Sequence, residues 1–163
     1  MKRYDMHPHH ELIQKFYIAF GQGDSETMAA CYHADIVFQD PVFGELRGSQ
    51  VTEMWNMLCH QAGDIEIIVS KIMANDEQGS AHWTARYNFG KPPRKVFNRI
   101  DAQFEFKEGR ISKHTDQFSF WRWSRMALGP LGLLLGWQSR VKRKVGEQAL
   151  RNLAKFTAKN KAE

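Results

Sequence analysis

Apolar residues recur at helical spacing through the first third of the chain and then alternate with polar ones through the middle. Leu12, Ile13, Phe16, Tyr17 and Phe20 share one face of a predicted helix that Gly21 and Gly23 end. Asp24 or Ser25 can cap a second helix carrying Met28, Cys31 and Tyr32. Asp35 to Gly44 reads as a short apolar strand running into an Asp40-Pro41 turn. Ser49 can then cap a third helix with Val51, Met54, Trp55 and Leu58 on one side. The period changes at Ile65 to Ala74, a β-rich run closed by a turn at residues 75–79. Trp83, Ala85, Tyr87 and Phe89 alternate against His82, Thr84, Arg86 and Asn88 in the next strand. Lys95 to Phe106 and Arg110 to Trp121 form two more strands around Lys107-Glu108-Gly109. Short loops predict antiparallel hairpins, and helices ahead of them predict an α+β architecture.

Composition narrows the class. A chain of 163 residues with 42% hydrophobic content fits one domain, and its 11 Phe and 5 Trp point to an aromatic-rich interior or pocket. Cys31 and Cys59 show no metal or redox spacing, and the start carries no signal-peptide pattern, so a cytoplasmic location is expected. The apolar run Met126 to Trp137 is too short to span a bilayer and is broken by Gly129, Pro130, Gly132 and Gly136. Charge is uneven. Residues 138–163 carry eight basic and two acidic side chains, a charge of +6, which leaves the body at −1. The basic balance therefore belongs to the tail, and nucleic-acid binding by the whole domain is not expected. The chain divides into a body, 1–124, and a basic amphipathic helical extension, 125–163, within the same structural unit. Three roles are open to the extension: packing on its own domain or a dimer mate, lying on a membrane surface through residues 126–163, or binding another partner.

Candidate chemistry concentrates at two places. Proline keeps the residue before it extended, so Asp40 ends its strand, and Phe38, Val42 and Phe43 would desolvate its carboxylate and raise its pKa. Asp40 is then either a general base or the cap of its turn. His114 and Asp116 are two apart and share a strand face with Phe118 and Phe120. They form either an acid/base pair or a satisfied polar pair in a wall or dimer interface. His7, His9 and His10 near the start read as solvated or adventitious metal contacts. Cys59 beside His60 reads as structural. No phosphate loop, dinucleotide fingerprint or Cys-x-x-Cys pair is present, and no cofactor or metal is implied.

Five segments together resemble one family. They are Phe16-Tyr17-x-Ala19-Phe20-x-x-Gly23-Asp24, Asp40-Pro41-Val42, Leu46-x-Gly48, Phe104-x-Phe106-x-x-Gly109-x-Ile111 and His114-x-Asp116-x-Phe118. Over residues 8 to 122 the chain resembles the nuclear-transport-factor-2-like, or cystatin-like, superfamily, in its SnoaL-like and ketosteroid-isomerase-like branch. The resemblance implies a cone of curved antiparallel sheet closed by N-terminal helices, holding a small apolar ligand and usually forming a homodimer. It places Asp40 on the proton-shuttling aspartate of the isomerases. Their oxyanion tyrosine falls at Phe16, with Tyr17 the next residue, and their second oxyanion donor falls near Asp101 or, counted back from Phe104 without a gap, at Ala102, so a complete steroid-isomerase site is not implied. The related cyclases and epoxide hydrolases carry acid/base carboxylates on inner strands, which brings His114 and Asp116 to Asp40. Tyr17, Phe38, Trp55, Asn98, Asp101 and Phe118 are the candidate substrate contacts. The resulting expectation is cofactor-independent proton transfer on a small hydrophobic carbonyl or cyclic compound. The alternative is a non-catalytic binder of a lipid or apolar metabolite.

Overall fold

A computed structural model describes residues 6–163. Two helices come first, α1 (Pro8–Gly21) and α2 (Ser25–Ala30), followed by strands β1 (Tyr32–Asp40) and β2 (Gly44–Arg47). Helix α3 (Ser49–Gln61) leads into β3 (Glu66–Ala74), β4 (Gln78–Phe89), β5 (Arg94–Lys107) and β6 (Arg110–Gln117). Three helices close the chain: α4 (Phe120–Ala127), α5 (Pro130–Leu135) and α6 (Ser139–Ala162).

The six strands form one sheet in the order β2-β1-β6-β5-β4-β3. Neighbours pair antiparallel except β1 and β6, which run parallel with Phe38 opposite His114 and Gln39 opposite Thr115. The sheet is therefore mixed, not wholly antiparallel as the hairpin pattern predicts. Alternation in β5 sends Val96, Asn98, Ile100, Ala102 and Phe104 inward and Arg99, Asp101 and Gln103 outward. The inner face packs on Ile13, Phe16, Tyr17 and Phe20 of α1 and on Val51, Met54 and Trp55 of α3, making one aromatic-rich core. Leu153 of α6 is buried in that same core, with Phe156 packed against it.

Two boundaries differ from the sequence reading, and both reposition side chains near the inner face of the sheet. Tyr32 opens β1 instead of closing the second helix, because α2 ends at Ala30 and Cys31 is its C-cap. Phe120 opens α4 instead of extending the last strand, because the Ser119 hydroxyl accepts the Arg122 N–H and caps a helix there. A minor change follows at α3, whose N-cap is Gly48 at φ 56° with Ser49 already helical.

Candidate active site

The Asp40 turn is built by local chemistry. β1 ends at Asp40, three residues reverse the chain, and Gly44 at φ 68° starts β2 in a conformation that favours glycine. The Val42 and Phe43 N–H groups both donate to Asp40 Oδ1, at 2.9 and 2.6 Å. Oδ2 makes no hydrogen bond among the described residues, so one oxygen is anchored and the other is left for chemistry.

That carboxylate faces a cavity of about 350 Å3, at the small end for ligand pockets. Its walls include Phe20, Phe38, Trp55, Trp83, Ile100 and Phe118. Among the described residues, Asp40 and Asp116 are its only charged lining residues, and no Lys or Arg lines it. Burial pushes the Asp40 carboxyl up to about 7. The Phe43 N–H bond opposes that rise, the Asp116 charge adds to it, and the Val42 N–H and Lys142 oppose it less strongly. At neutral pH Asp40 therefore divides between its acid and its base.

Asp116 is held by a buried chain of side chains. Trp55 Nε1–H donates to the Tyr32 hydroxyl at 2.8 Å, and that oxygen lies 2.8 Å from His114 Nδ1. His114 Nε2 lies 2.9 Å from Asp116 Oδ1, which also accepts Trp83 Nε1–H at 3.3 Å. An ionised Asp116 can only accept, so Nε2 is the histidine's donor and the Tyr32 O–H completes the chain by donating to Nδ1. Burial holds the Tyr32 phenol well above its ordinary pKa, which keeps that proton in place. His114 is fully buried behind Asp116, packed among Phe38, Phe104 and Trp55.

Two further polar groups reach the cavity. Asn98 lines it, is 8% exposed, and its amide makes no hydrogen bond among the described residues. The Tyr87 hydroxyl also lines it and accepts Trp123 Nε1–H at 2.8 Å, leaving its own proton free to donate. Burial pushes the Tyr87 phenol up to about 12. The Trp123 bond works against that rise and the Asp40 charge adds to it.

Helix α6 forms the outer wall with Val145, Gln148, Ala149 and Asn152. Gly146 permits this approach, because a Cβ there would lie 2.8 Å from the Val42 carbonyl oxygen. The extension thus rests on the Asp40 turn itself.

Of the residues singled out from sequence, Asp40, Phe38, Trp55, Asn98, Asp116 and Phe118 line one cavity, with His114 behind Asp116. Two do not. Asp101 falls on the outer face of β5, where it bonds His82 Nδ1 at 2.8 Å, because strand alternation gives the inner position to Ala102. Tyr17 is buried beside Trp83 outside the cavity lining, and its hydroxyl has no partner among the described residues. Tyr32, Trp83 and Tyr87 are further members of the candidate site that sequence reasoning misses. Tyr87 and Trp83 carried a signal, since both sit on the apolar side of an alternating strand. Tyr32 carries none, because its spacing from Met28 is helical.

Two of the N-terminal histidines make local contacts. His7 Nδ1 accepts the His9 N–H at the start of α1, and its Nε2 lies 2.9 Å from Asp76 Oδ1. His9 Nδ1 lies 2.8 Å from the Asn75 carbonyl, and the ring stacks on Phe106. Among the described residues no group of three or more His, Cys, Asp or Glu is arranged to hold a metal ion.

Comparison with known proteins bears on the family and the fold. The family model for the SnoaL-like domain matches residues 13–114. An LEH-like epoxide hydrolase from Mycobacterium tuberculosis superposes with a TM-score of 0.64 at 21% identity, over 78% of this chain and 95% of that one. TerC, crystallised with polyporic acid, gives a TM-score of 0.66 at 14% identity, over 76% and 100% of the two chains. A candidate polyketide cyclase from Xanthomonas campestris gives 0.62 at 18% identity, over 74% and 96%. A search of curated proteins returns no match.

Proposed function

The chain belongs to the SnoaL-like domain family, and we propose that it is a cofactor-independent acid/base enzyme acting on a small hydrophobic carbonyl or cyclic compound. One observation carries this reading: among the described residues, the only two charged side chains on a predominantly apolar cavity are carboxylates, each with one oxygen tied down. A pocket that only held an apolar molecule would gain nothing from two buried acids and would lose stability to them.

Asp40 is the base. Its pKa near 7 suits a group that must both take and return a proton at neutral pH. Substrate seated against Phe38, Trp55 and Phe118 would present an acidic C–H, or the water that opens a ring, to Asp40 Oδ2. Tyr87 or Asn98 would donate to the substrate oxygen as negative charge grows there. Asp116, oriented by His114 and Trp83, is the second acid/base group. Neighbours described as an LEH-like epoxide hydrolase and a candidate polyketide cyclase share this fold, which supports the reading.

The runner-up is a non-catalytic binder of a lipid or apolar metabolite. The predominantly apolar walls favour it. One experiment separates the two. Small cyclic ketones and epoxides that raise the melting temperature are incubated with protein in deuterated water, and exchange or ring opening is followed by NMR. Asp40→Asn should slow turnover by about a thousandfold while the dissociation constant stays within about threefold. A wild-type protein that binds these compounds yet exchanges and opens none of them would leave the binder.

A further inference from the structure

Helix α5 is built inside out for a protein surrounded by water. Gly132 within it and Gly136 at its C-cap face the body: a Cβ on Gly132 would overlap the Ser124 carbonyl, and one on Gly136 would overlap the Ser124 side chain. Packed that closely on α4, the helix turns its large apolar residues outward. Leu131, Leu133 and Leu134 are 56%, 52% and 68% exposed, and Trp137, just past the helix, is 71% exposed. Trp121 of α4 joins them, its Nε1 3.5 Å from the Leu133 carbonyl, and Trp137 Nε1 donates to the Leu134 carbonyl at 3.0 Å. Five large apolar side chains thus form a continuous outward patch, where solvated helices place polar ones.

Its charge surroundings are one-sided. Between residues 117 and 146 the chain has six basic side chains and no acidic one. Arg122 and Arg125 flank the patch on α4, with the Arg125 guanidinium 4.9 Å from the Trp121 ring centre. Arg140, Lys142, Arg143 and Lys144 follow on the first turns of α6, all exposed. No helix among the described residues is long and apolar enough to cross a membrane. A short leucine and tryptophan cap ringed by cations matches the chemistry of a bilayer surface, with acyl chains for the cap and anionic headgroups for the ring.

We propose that the α4–α5 corner docks this protein on an anionic lipid membrane, with Leu131, Leu133, Leu134, Trp121 and Trp137 inserted at the interface. The docking is independent of the chemistry proposed above, but it bears on substrate supply. Leu128, the C-cap of α4, lines the cavity one residue before the loop into α5. Docking therefore sets one cavity wall close to the lipid.

The test is vesicle flotation of the full chain. Phosphatidylcholine vesicles are compared with vesicles also containing phosphatidylglycerol, each at low and high salt. Wild type should float with the anionic vesicles, and salt should weaken that binding. The double variant Leu134→Ser/Trp137→Ser should lose at least tenfold in binding. So should the triple variant Arg140→Gln/Arg143→Gln/Lys144→Gln. All five side chains are exposed, so circular dichroism should be unchanged. Wild type that fails to float, or a double variant that floats as well as wild type, would overturn the docking. A dimer in sedimentation that dissolves in Leu134→Ser/Trp137→Ser, with no flotation of wild type, would overturn it in favour of a second copy of the chain.

Discussion

Asp40 and Asp116 occupy neighbouring positions on the two parallel strands. Gln39 is the register partner of Thr115, and each carboxylate is the next residue along. One step back, Phe38 stands opposite His114 with ring centres 5.2 Å apart. Two like charges are thereby set side by side against an apolar cavity. The Asp116 charge accordingly adds to the upward shift of Asp40.

That shift has a signature in stability. The Asp40 carboxyl titrates near 7 in the folded chain, against about 3.9 when unfolded. Between those values the folded chain holds a proton that the unfolded chain has released. The contribution of this group to stability therefore falls as pH rises from about 4 to 7 and is level above. Asp40→Asn keeps an oxygen for the Val42 and Phe43 N–H groups but never ionises. Thermal melts should show the variant more stable than wild type by roughly 3–8 °C at pH 8, with the gap shrinking towards pH 5.

The Trp55–Tyr32–His114–Asp116 chain should behave as a unit. Tyr32→Phe leaves Trp55 Nε1–H and His114 Nδ1 without their partner in a buried site. A loss of about 1–3 kcal/mol is expected, read in urea as a lower midpoint with an unchanged slope. A double cycle with His114→Gln should show strong non-additivity, because both changes break the same chain.

Tyr17→Phe should act in the opposite direction. The Tyr17 hydroxyl is buried with no partner among the described residues, so its removal relieves a desolvated polar group. The melting temperature should hold or rise, and turnover should not change. A large loss of activity would instead bring Tyr17 back among the substrate contacts.

Helix α6 should matter more for the cavity than for the sheet. Gly146→Val would force the helix away from the Val42 carbonyl at the Asp40 turn. The variant should bind more of an apolar dye and hold ligands more weakly, while far-ultraviolet circular dichroism stays near that of wild type.

Much of this was legible in the chain because period and turn chemistry are local. The alternation of β4 and β5 and the Asp40-Pro41 turn follow from neighbouring residues, as does the strand placing of His114 and Asp116. What the sequence hid is long-range. Nothing near Tyr32 distinguishes the last turn of a helix from the first residue of a strand. Nor does any local signal say that β1 pairs parallel with β6, which is what joins Asp40 to Asp116. The resemblance leaves Asp101 and Ala102 open, one residue of register apart, and that single step turns the side chain to the other face. Gly132 and Gly136 read as breaks in an apolar run, whereas they are points of close helix packing, as is Gly146 on α6.

The most direct test of the central claim, that Asp40 is a base poised near neutrality by burial and by Asp116, is a titration of carbon-13-labelled aspartate carboxyls by NMR. The Asp40→Asn variant identifies the resonance. A midpoint close to 7 in wild type, moving down in Asp116→Asn, is the predicted result. A midpoint near 4 in both proteins would mean that Asp40 is an ordinary ionised turn residue, and the proposed proton transfer would lose its base.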